Sequence, residues 1–180
     1  GKTTLARAIG RMIEVPKNQL FLSGLDITSI PLETLRKNIA FVPQESYLFT
    51  STLEENIKYG DPQASFGRVK EVSIQARLLE DIRGFPDGFN TLVGEKGITL
   101  SGGQRQRAAL GRALLVESPI LVLDDSLASV DNDTASGILS SIREKKNQTI
   151  LLISHQLSAA ASCDRILVME EGEIVQEGSH

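Results

Sequence analysis

Little in this sequence would cross-link it, carry it through a bilayer or draw it onto a polyanion. There is one cysteine, Cys163, in 180 residues. A single thiol closes no internal disulfide, and such sparing use fits a reducing compartment. No apolar run approaches the ~20 residues that cross a membrane. The chain does not open on a basic stretch leading into an apolar one, so no secretory leader is expected in it. It also lacks an initiating Met and begins Gly1-Lys2-Thr3-Thr4, which leads us to expect a fragment of a longer protein. Positive charge is not in excess: the formal net charge is -4, and nothing recommends nucleic acid as a partner. Internal repeats and low-complexity linkers are absent as well.

What remains is ordinary for one folded domain with a substantial core. Hydrophobic residues make up 41% of the chain and charged residues 23%, both usual for a soluble globular protein. Helix-period and strand-like segments alternate. A helix is expected from Lys2 through "LARAIGRMI", then short strands at "QLFLS" (19–23) and "IAFVP" (39–43). Apolar residues at three- and four-residue spacing predict a mostly helical stretch over about 52–83. Residues 84–100, with Gly84, Pro86, Gly88, Gly94 and Gly97, read as a loop. "SGGQRQRAALGRALL" starts a long helix. "PILVLD" (119–124) and "QTILLIS" (148–154) are continuous apolar runs, the mark of strands covered on both faces. Between them "DNDTASGILSSIREKK" has acids in its first turn and bases in its last, as the helix dipole prefers. "RILVME" and "EIVQEG" form a hairpin-like pair around Glu171-Gly172. The sum is an α/β fold with a mainly parallel sheet interrupted by a helical insertion. Ligands in such sheets gather at the carboxyl ends of the strands.

Three strings carry chemistry. Gly1-Lys2-Thr3-Thr4 has the form of the end of a phosphate-binding loop, G-x-x-x-x-G-K-[ST]. There, backbone N–H groups at a helix N-terminus hold phosphate oxygens, Lys2 neutralises the β/γ charge and the Thr3 hydroxyl ligates Mg²⁺. "PILVLDD" places Asp124 at the end of an apolar strand, where the metal-holding acid of a P-loop ATPase stands; its plainer reading is a strand end or helix cap. In "LSGGQRQR" (100–107), Ser101 can cap a helix while Gly102 and Gly103 leave N–H groups open to an anion. That is a second phosphate site, unless the string is an ordinary capped helix with a basic face at Arg105, Arg107 and Arg112.

"LSGGQRQR" closely resembles the signature motif of ATP-binding-cassette (ABC) proteins, and other segments match that family in order across essentially all 180 residues. The resemblance implies a P-loop NTPase core with an inserted helical subdomain, all within one domain. The core would be 1–51 and 118–180, and the helical subdomain with the signature helix about 52–117. By the same resemblance, Gln44 senses the γ-phosphate and metal and begins the segment that contacts a transmembrane domain. "SVD" (129–131) crosses the dimer interface, though Asp131 also suits a helix N-cap. His155 contacts the γ-phosphate. The family binds ATP and Mg²⁺ in a head-to-tail dimer. Gly1, Lys2, Thr3, Thr4, Gln44, Asp124 and His155 would serve one site, with Thr3, Gln44 and Asp124 at the metal. Ser101, Gly102, Gly103 and Gln104 would complete the site of the partner.

"TLVGEKG" (91–97) resembles the T-x-V-G-E-R-G element of exporter-type cassettes, with Leu92 and Lys96 as variations. "SYLFTSTLEENIKYG" and "EEGEIVQEGSH" resemble exporter segments too. These imply the nucleotide-binding domain of an ATP-driven exporter at the cytoplasmic face of a membrane, with its transmembrane domain upstream. One departure stands out. Where the family has a catalytic glutamate after the metal-binding acid, this chain has Asp125. Basicity barely changes, ~3.9 against ~4.3 for glutamate, but reach shortens by about an ångström, a misplacement that can cost on the order of 10²-fold in rate. An intact signature beside a shortened acid resembles the degenerate-site chain of heterodimeric exporters more than a homodimer. A non-catalytic nucleotide-gated module and a soluble importer- or repair-type cassette are the rivals. The exporter element and the lack of a long heptad insertion between Gln44 and Ser101 oppose the second.

Overall fold

A computed structural model describes residues 1–94, 97–144 and 147–180. Helix α1 (Lys2–Ile9) is followed by a small hairpin of β1 (Phe21–Leu22) and β2 (Leu25–Asp26). Helix α2 (Leu32–Lys37) leads into β3 (Ile39–Val42), and β4 (Ser51–Thr52) precedes the helices α3 (Leu53–Lys58), α4 (Phe66–Gln75) and α5 (Leu79–Gly84). After β5 (Leu92–Val93) comes α6 (Gly102–Leu115), then β6 (Ile120–Asp124), α7 (Asn132–Arg143), β7 (Thr149–Ile153), α8 (Leu157–Ala161) and the hairpin β8 (Ile166–Glu170) with β9 (Glu173–Gly178).

The centre is a parallel sheet ordered β3-β6-β7, as an α/β chain of this pattern should form. In β6, Leu121, Val122 and Leu123 are fully buried. Their side chains alternate between two faces. Leu121 and Leu123 join the cluster that includes Leu110, Leu114 and Ile138, while Val122 joins Ala6, Ile27 and Leu35 beneath α1 and α2. One strand is thus the wall between two cores, which explains its unbroken apolar run. Ser118 fastens the entry to this strand: its hydroxyl accepts from the Ala40 N–H at 2.9 Å and donates to the Ile120 carbonyl at 2.7 Å. The long helix α6 packs against α3 and α4 and also against β3, so it bridges those helices and the sheet.

The structure departs from the sequence pattern in three places. The first helix stops at Ile9 and does not run on through Ile13; Gly10 closes it and Arg11 takes a left-handed φ of 45°. The Arg11 guanidinium instead donates to the Ile30 carbonyl at 2.7 Å. Residues 84–100 are not all loop, because β5 pairs antiparallel with β4; two-residue strands are too short to show a period. Strand β7 is only half-buried over Ile150, Leu151 and Leu152, since among the described residues it pairs with β6 alone, at the sheet edge. The closing hairpin does turn at Glu171 and Gly172, with φ of 48° and 93°, the double left-handed pattern of a tight two-residue turn. Glu95, Lys96, Lys145 and Lys146 lie outside the described residues, so the centre of "TLVGEKG" and the basic end of "SSIREKK" do too.

The contact between α3 and α6 is close enough to be tested by one methyl group. A Cβ on Gly60 would stand 2.1 Å from the Arg112 carbonyl oxygen, a backbone atom that cannot step aside. Gly60→Ala should therefore destabilise the fold by about 1–3 kcal/mol. The measurement is urea unfolding: a lower midpoint with an unchanged slope is expected, and an unchanged midpoint would mean that the two helices are free to separate.

Candidate functional site

The parallel register brings the carboxyl ends of three strands together. Val42 pairs with Leu123 and Asp124 pairs with Ile153. Gln44 therefore follows β3 by two residues, Asp124 ends β6, and His155 follows β7 by two residues, all at one end of the sheet. Gln44 and His155 are exposed there, whereas Asp124 retains only 2% exposure. Helix α1 starts at the same end. The Thr3 hydroxyl donates to Asp124 Oδ1 at 3.0 Å, across 121 residues of sequence. Gly1 is the N-cap of α1 and supplies no side chain to cap it, so the first N–H groups of the helix stay available to an anion. Lys2 is the first residue of that turn, and it is half-buried.

Thr3 and Asp124 offer hard oxygen donors side by side, with the exposed Gln44 amide nearby on the same sheet end. No group of three or more His, Cys, Asp or Glu capable of holding a metal exists among the described residues. A donor set with one carboxylate and one hydroxyl suits Mg²⁺, which takes few protein ligands and completes its shell with water and phosphate oxygens. The site therefore fits the metal that the motifs imply.

Asp125 is held differently from Asp124. Its N–H donates to the Ile153 carbonyl at 2.9 Å, extending the β6–β7 ladder by one bond. Its backbone then turns into the left-handed region with φ of 49°, which Asp and Asn enter several-fold more readily than other side chains. That turn lifts the half-buried Asp125 out of the strand at the mouth of the sheet. The following residues fold back, Ala128 N–H reaching the Asp125 carbonyl and Val130 N–H the Leu127 carbonyl. Asp131 then caps α7 by accepting from the Thr134 N–H at 2.9 Å, and this bond holds its carboxyl below the ordinary aspartate pKa.

The string "LSGGQRQR" forms the start of α6. Ser101 and Gln104 make a reciprocal capping box, with the Gln104 N–H donating to Ser101 Oγ and the Ser101 N–H donating to Gln104 Oε1. Gln104 Nε2 donates to Asp81 Oδ1 at 2.9 Å, and Arg107 donates to Asp81 Oδ2 at 2.8 Å. The arginines read as a basic face are tied home: Arg105 to the Leu100 carbonyl, Arg107 to Asp81 and Arg112 to the Asn56 carbonyl. Burial draws the Arg112 guanidinium below its ordinary pKa. The first turn of α6 rests on the 129–131 segment. A Cβ on Gly103 would lie 2.8 Å from the Ser129 carbonyl oxygen, so only glycine fits.

Two groupings result. Thr3 and Asp124 are in direct contact, with Gln44, Asp125 and His155 at neighbouring strand ends. Ser101, Gly102, Gly103 and Gln104 sit apart, against Ser129. Gln106 was not anticipated. It is 6% exposed and bonded at both ends of its amide. Its place inside the signature string hid it, because nothing local separates it from a neutral helix residue.

A family profile described as ABC transporter matches residues 1–128. The chain is 42% identical, over its whole length, to the "Probable multidrug resistance ABC transporter ATP-binding/permease protein YheI" of Bacillus subtilis, covering 31% of that protein. It is 41% identical to the "ATP-dependent lipid A-core flippase" of Chromobacterium violaceum, again covering 31%. The chain thus spans about a third of the length of the curated relatives it matches. Among solved structures, a bacterial Atm1-family ABC exporter with ATP bound superposes with a TM-score of 0.94 at 37% identity, covering 99% of this chain and 32% of that one. No helix among the described residues is long and apolar enough to cross a membrane. Given the family match over more than half of its residues and the strand-end cluster built by Thr3 and Asp124, this chain belongs to the ABC transporter family.

Proposed function

We propose that the chain is the ATP-binding and ATP-hydrolysing domain of an ABC exporter, with its own hydrolytic site weakened by Asp125. The observation that carries this is the Thr3–Asp124 hydrogen bond, which joins the Gly-Lys-Thr helix start to the acid at the end of β6. The N–H groups of α1 and the Lys2 ammonium hold the β- and γ-phosphates. Thr3, Asp124 and the Gln44 amide hold Mg²⁺, which supplies charge neutralisation on the phosphate oxygens when bound. His155 contacts the γ-phosphate from the end of β7. Asp125 stands where a carboxylate would orient and deprotonate the attacking water, but its short side chain leaves that water poorly aligned.

The rest follows from the exporter reading. A second nucleotide-binding domain faces this one head to tail, so that Ser101, Gly102, Gly103 and Gln104 complete the partner's site. The intact signature beside a shortened acid favours a heterodimer, in which the partner's site does most of the turnover. ATP closes the pair, hydrolysis reopens it, and a transmembrane domain elsewhere in the protein converts the cycle into export from the cytoplasmic face of the membrane.

The decisive measurement is MgATP hydrolysis by the full-length protein, comparing the natural chain with Asp125→Glu and with nucleotide binding measured separately. The natural chain should bind MgATP and turn it over slowly. Asp125→Glu should raise kcat by about one to two orders of magnitude with little change in binding. It should also lower thermal stability slightly, because glutamate enters the left-handed region at φ 49° less readily than aspartate. Equal rates would mean that aspartate suffices and that a working homodimer is the better account.

Removing the β6 acid tests the metal site. Asp124→Asn should raise the Mg²⁺ concentration needed for half-maximal nucleotide binding by about tenfold or more, as loss of a carboxylate from a hard-cation site implies. An unchanged Mg²⁺ requirement would place the metal elsewhere.

A further inference from the structure

The buried amide of Gln106 lies between the Gln44 loop, which the proposed function sets at this chain's own site, and the 129–131 segment, which the family resemblance sets at the dimer interface. Its Oε1 accepts from the Ser129 backbone N–H at 3.0 Å, and its Nε2 donates to the Gln44 backbone carbonyl at 3.5 Å. The amide orientation follows from the partners: an N–H needs the oxygen and a carbonyl needs the nitrogen. At 6% exposure, water cannot readily take over either bond. One turn earlier on α6, Gly103 brings the helix so close to Ser129 that a Cβ would meet its carbonyl oxygen at 2.8 Å, and a Cβ on Gly102 would meet Ser129 Oγ at 3.3 Å. The 129–131 segment is thus seated on α6 by backbone contact and latched by one side chain. From there Val130 enters the core and Asp131 caps α7.

We propose that Gln106 is a positioning residue that couples the Gln44 loop to the 129–131 segment, so that a change at one is felt at the other. The inference deepens the proposed function and rests on it. Gln44 stands at the mouth of this chain's own phosphate site, and the 129–131 segment is expected to cross the dimer interface. A buried amide that holds the Ser129 N–H and reaches the Gln44 carbonyl makes their positions interdependent without touching nucleotide itself. The chemistry is specific to glutamine. A carboxylate keeps the acceptor for Ser129 but sets oxygen against the Gln44 carbonyl, while a thioether of similar length keeps neither bond.

The test is hydrogen exchange on the full-length protein with and without MgATP, for the natural chain, Gln106→Met and Gln106→Glu, with steady-state kinetics alongside. In the natural chain, MgATP should protect residues 1–4, the Gln44 loop and the 129–131 segment together. In Gln106→Met, protection at 1–4 should persist while that at 129–131 is lost, with kcat down by about tenfold and KM within about twofold, a loss of alignment more than of binding. In Gln106→Glu, which keeps the acceptor for Ser129 alone, protection at 129–131 should persist while its joint change with the Gln44 loop is lost and kcat falls with little change in KM. Joint protection in Gln106→Met equal to that of the natural chain would overturn the coupling. So would a loss of stability alone, with no effect on kcat. Absence of protection at 1–4 in the natural chain would instead overturn the nucleotide-site reading, and the coupling with it.

Discussion

The whole arrangement depends on where β6 puts its last residue. A carboxylate with 2% exposure is costly to bury unless something satisfies it. Here the strand that carries Asp124 is fixed by packing on both of its faces, and the Thr3 hydroxyl meets the carboxylate at the strand's end. Each half supports the other. The core layers hold β6 in register with β3 and β7, and that register sets Gln44, Asp124 and His155 at one edge. The hydroxyl then pins the start of α1 to that edge, which aims the open N–H groups of the helix at the same space. Any change that shifts β6 by one residue would invert its faces and dismantle both cores together.

Helix α6 answers a second constraint, since its first turn must be accurate on both sides. Inside the chain, the capping box, the Asp81 bonds and the contact with Ser129 fix the turn in place. Outside, the same turn is the part of the signature expected to meet a partner's nucleotide. Gln104 spends its oxygen on Ser101 and a hydrogen on Asp81, so the side chain is ordered before any ligand arrives. That is preorganisation: the ordering cost of the loop falls on folding, not on binding.

Most of the framework was legible because it is written in long-range chemistry with short-range signatures. Apolar runs at 119–124 and 148–154 mark the strands, and a helix start with glycine and serine marks α6. The contact between Thr3 and Asp124 follows once both motifs are assigned to one site. What escaped notice was settled by local backbone geometry or by contacts with no sequence period. The end of α1 turns on Gly10 and the left-handed Arg11, where the apolar pattern itself runs on through Ile13. The β4–β5 pair is two residues long. The edge position of β7 depends on which strands flank it, and a run of apolar residues does not say that. Gln106 matters only because Ser129, 23 residues along the chain, comes back to it.

The paired aspartates at 124 and 125 divide their work by backbone geometry more than by side-chain chemistry. Asp124 ends the strand with its side chain turned inward to Thr3. One residue later the chain enters the left-handed region, and Asp125 leaves the strand while its N–H still bonds β7. Two carboxylates in the same sheet environment would repel one another across the site if both faced inward. The left-handed turn separates them, keeping Asp124 on Thr3 and taking Asp125 out of the strand. A longer acid at 125 would reach that water better and sit in the turn less easily. The shorter acid gains backbone fit and loses reach, which under the proposed function would keep the binding geometry while misaligning the attacking water. A domain of this kind can clamp nucleotide and lend its signature turn to a partner even when it hydrolyses little itself. On that reading Gln106, bonded to the Gln44 loop and to the 129–131 segment, would matter more to the pair than to this chain alone.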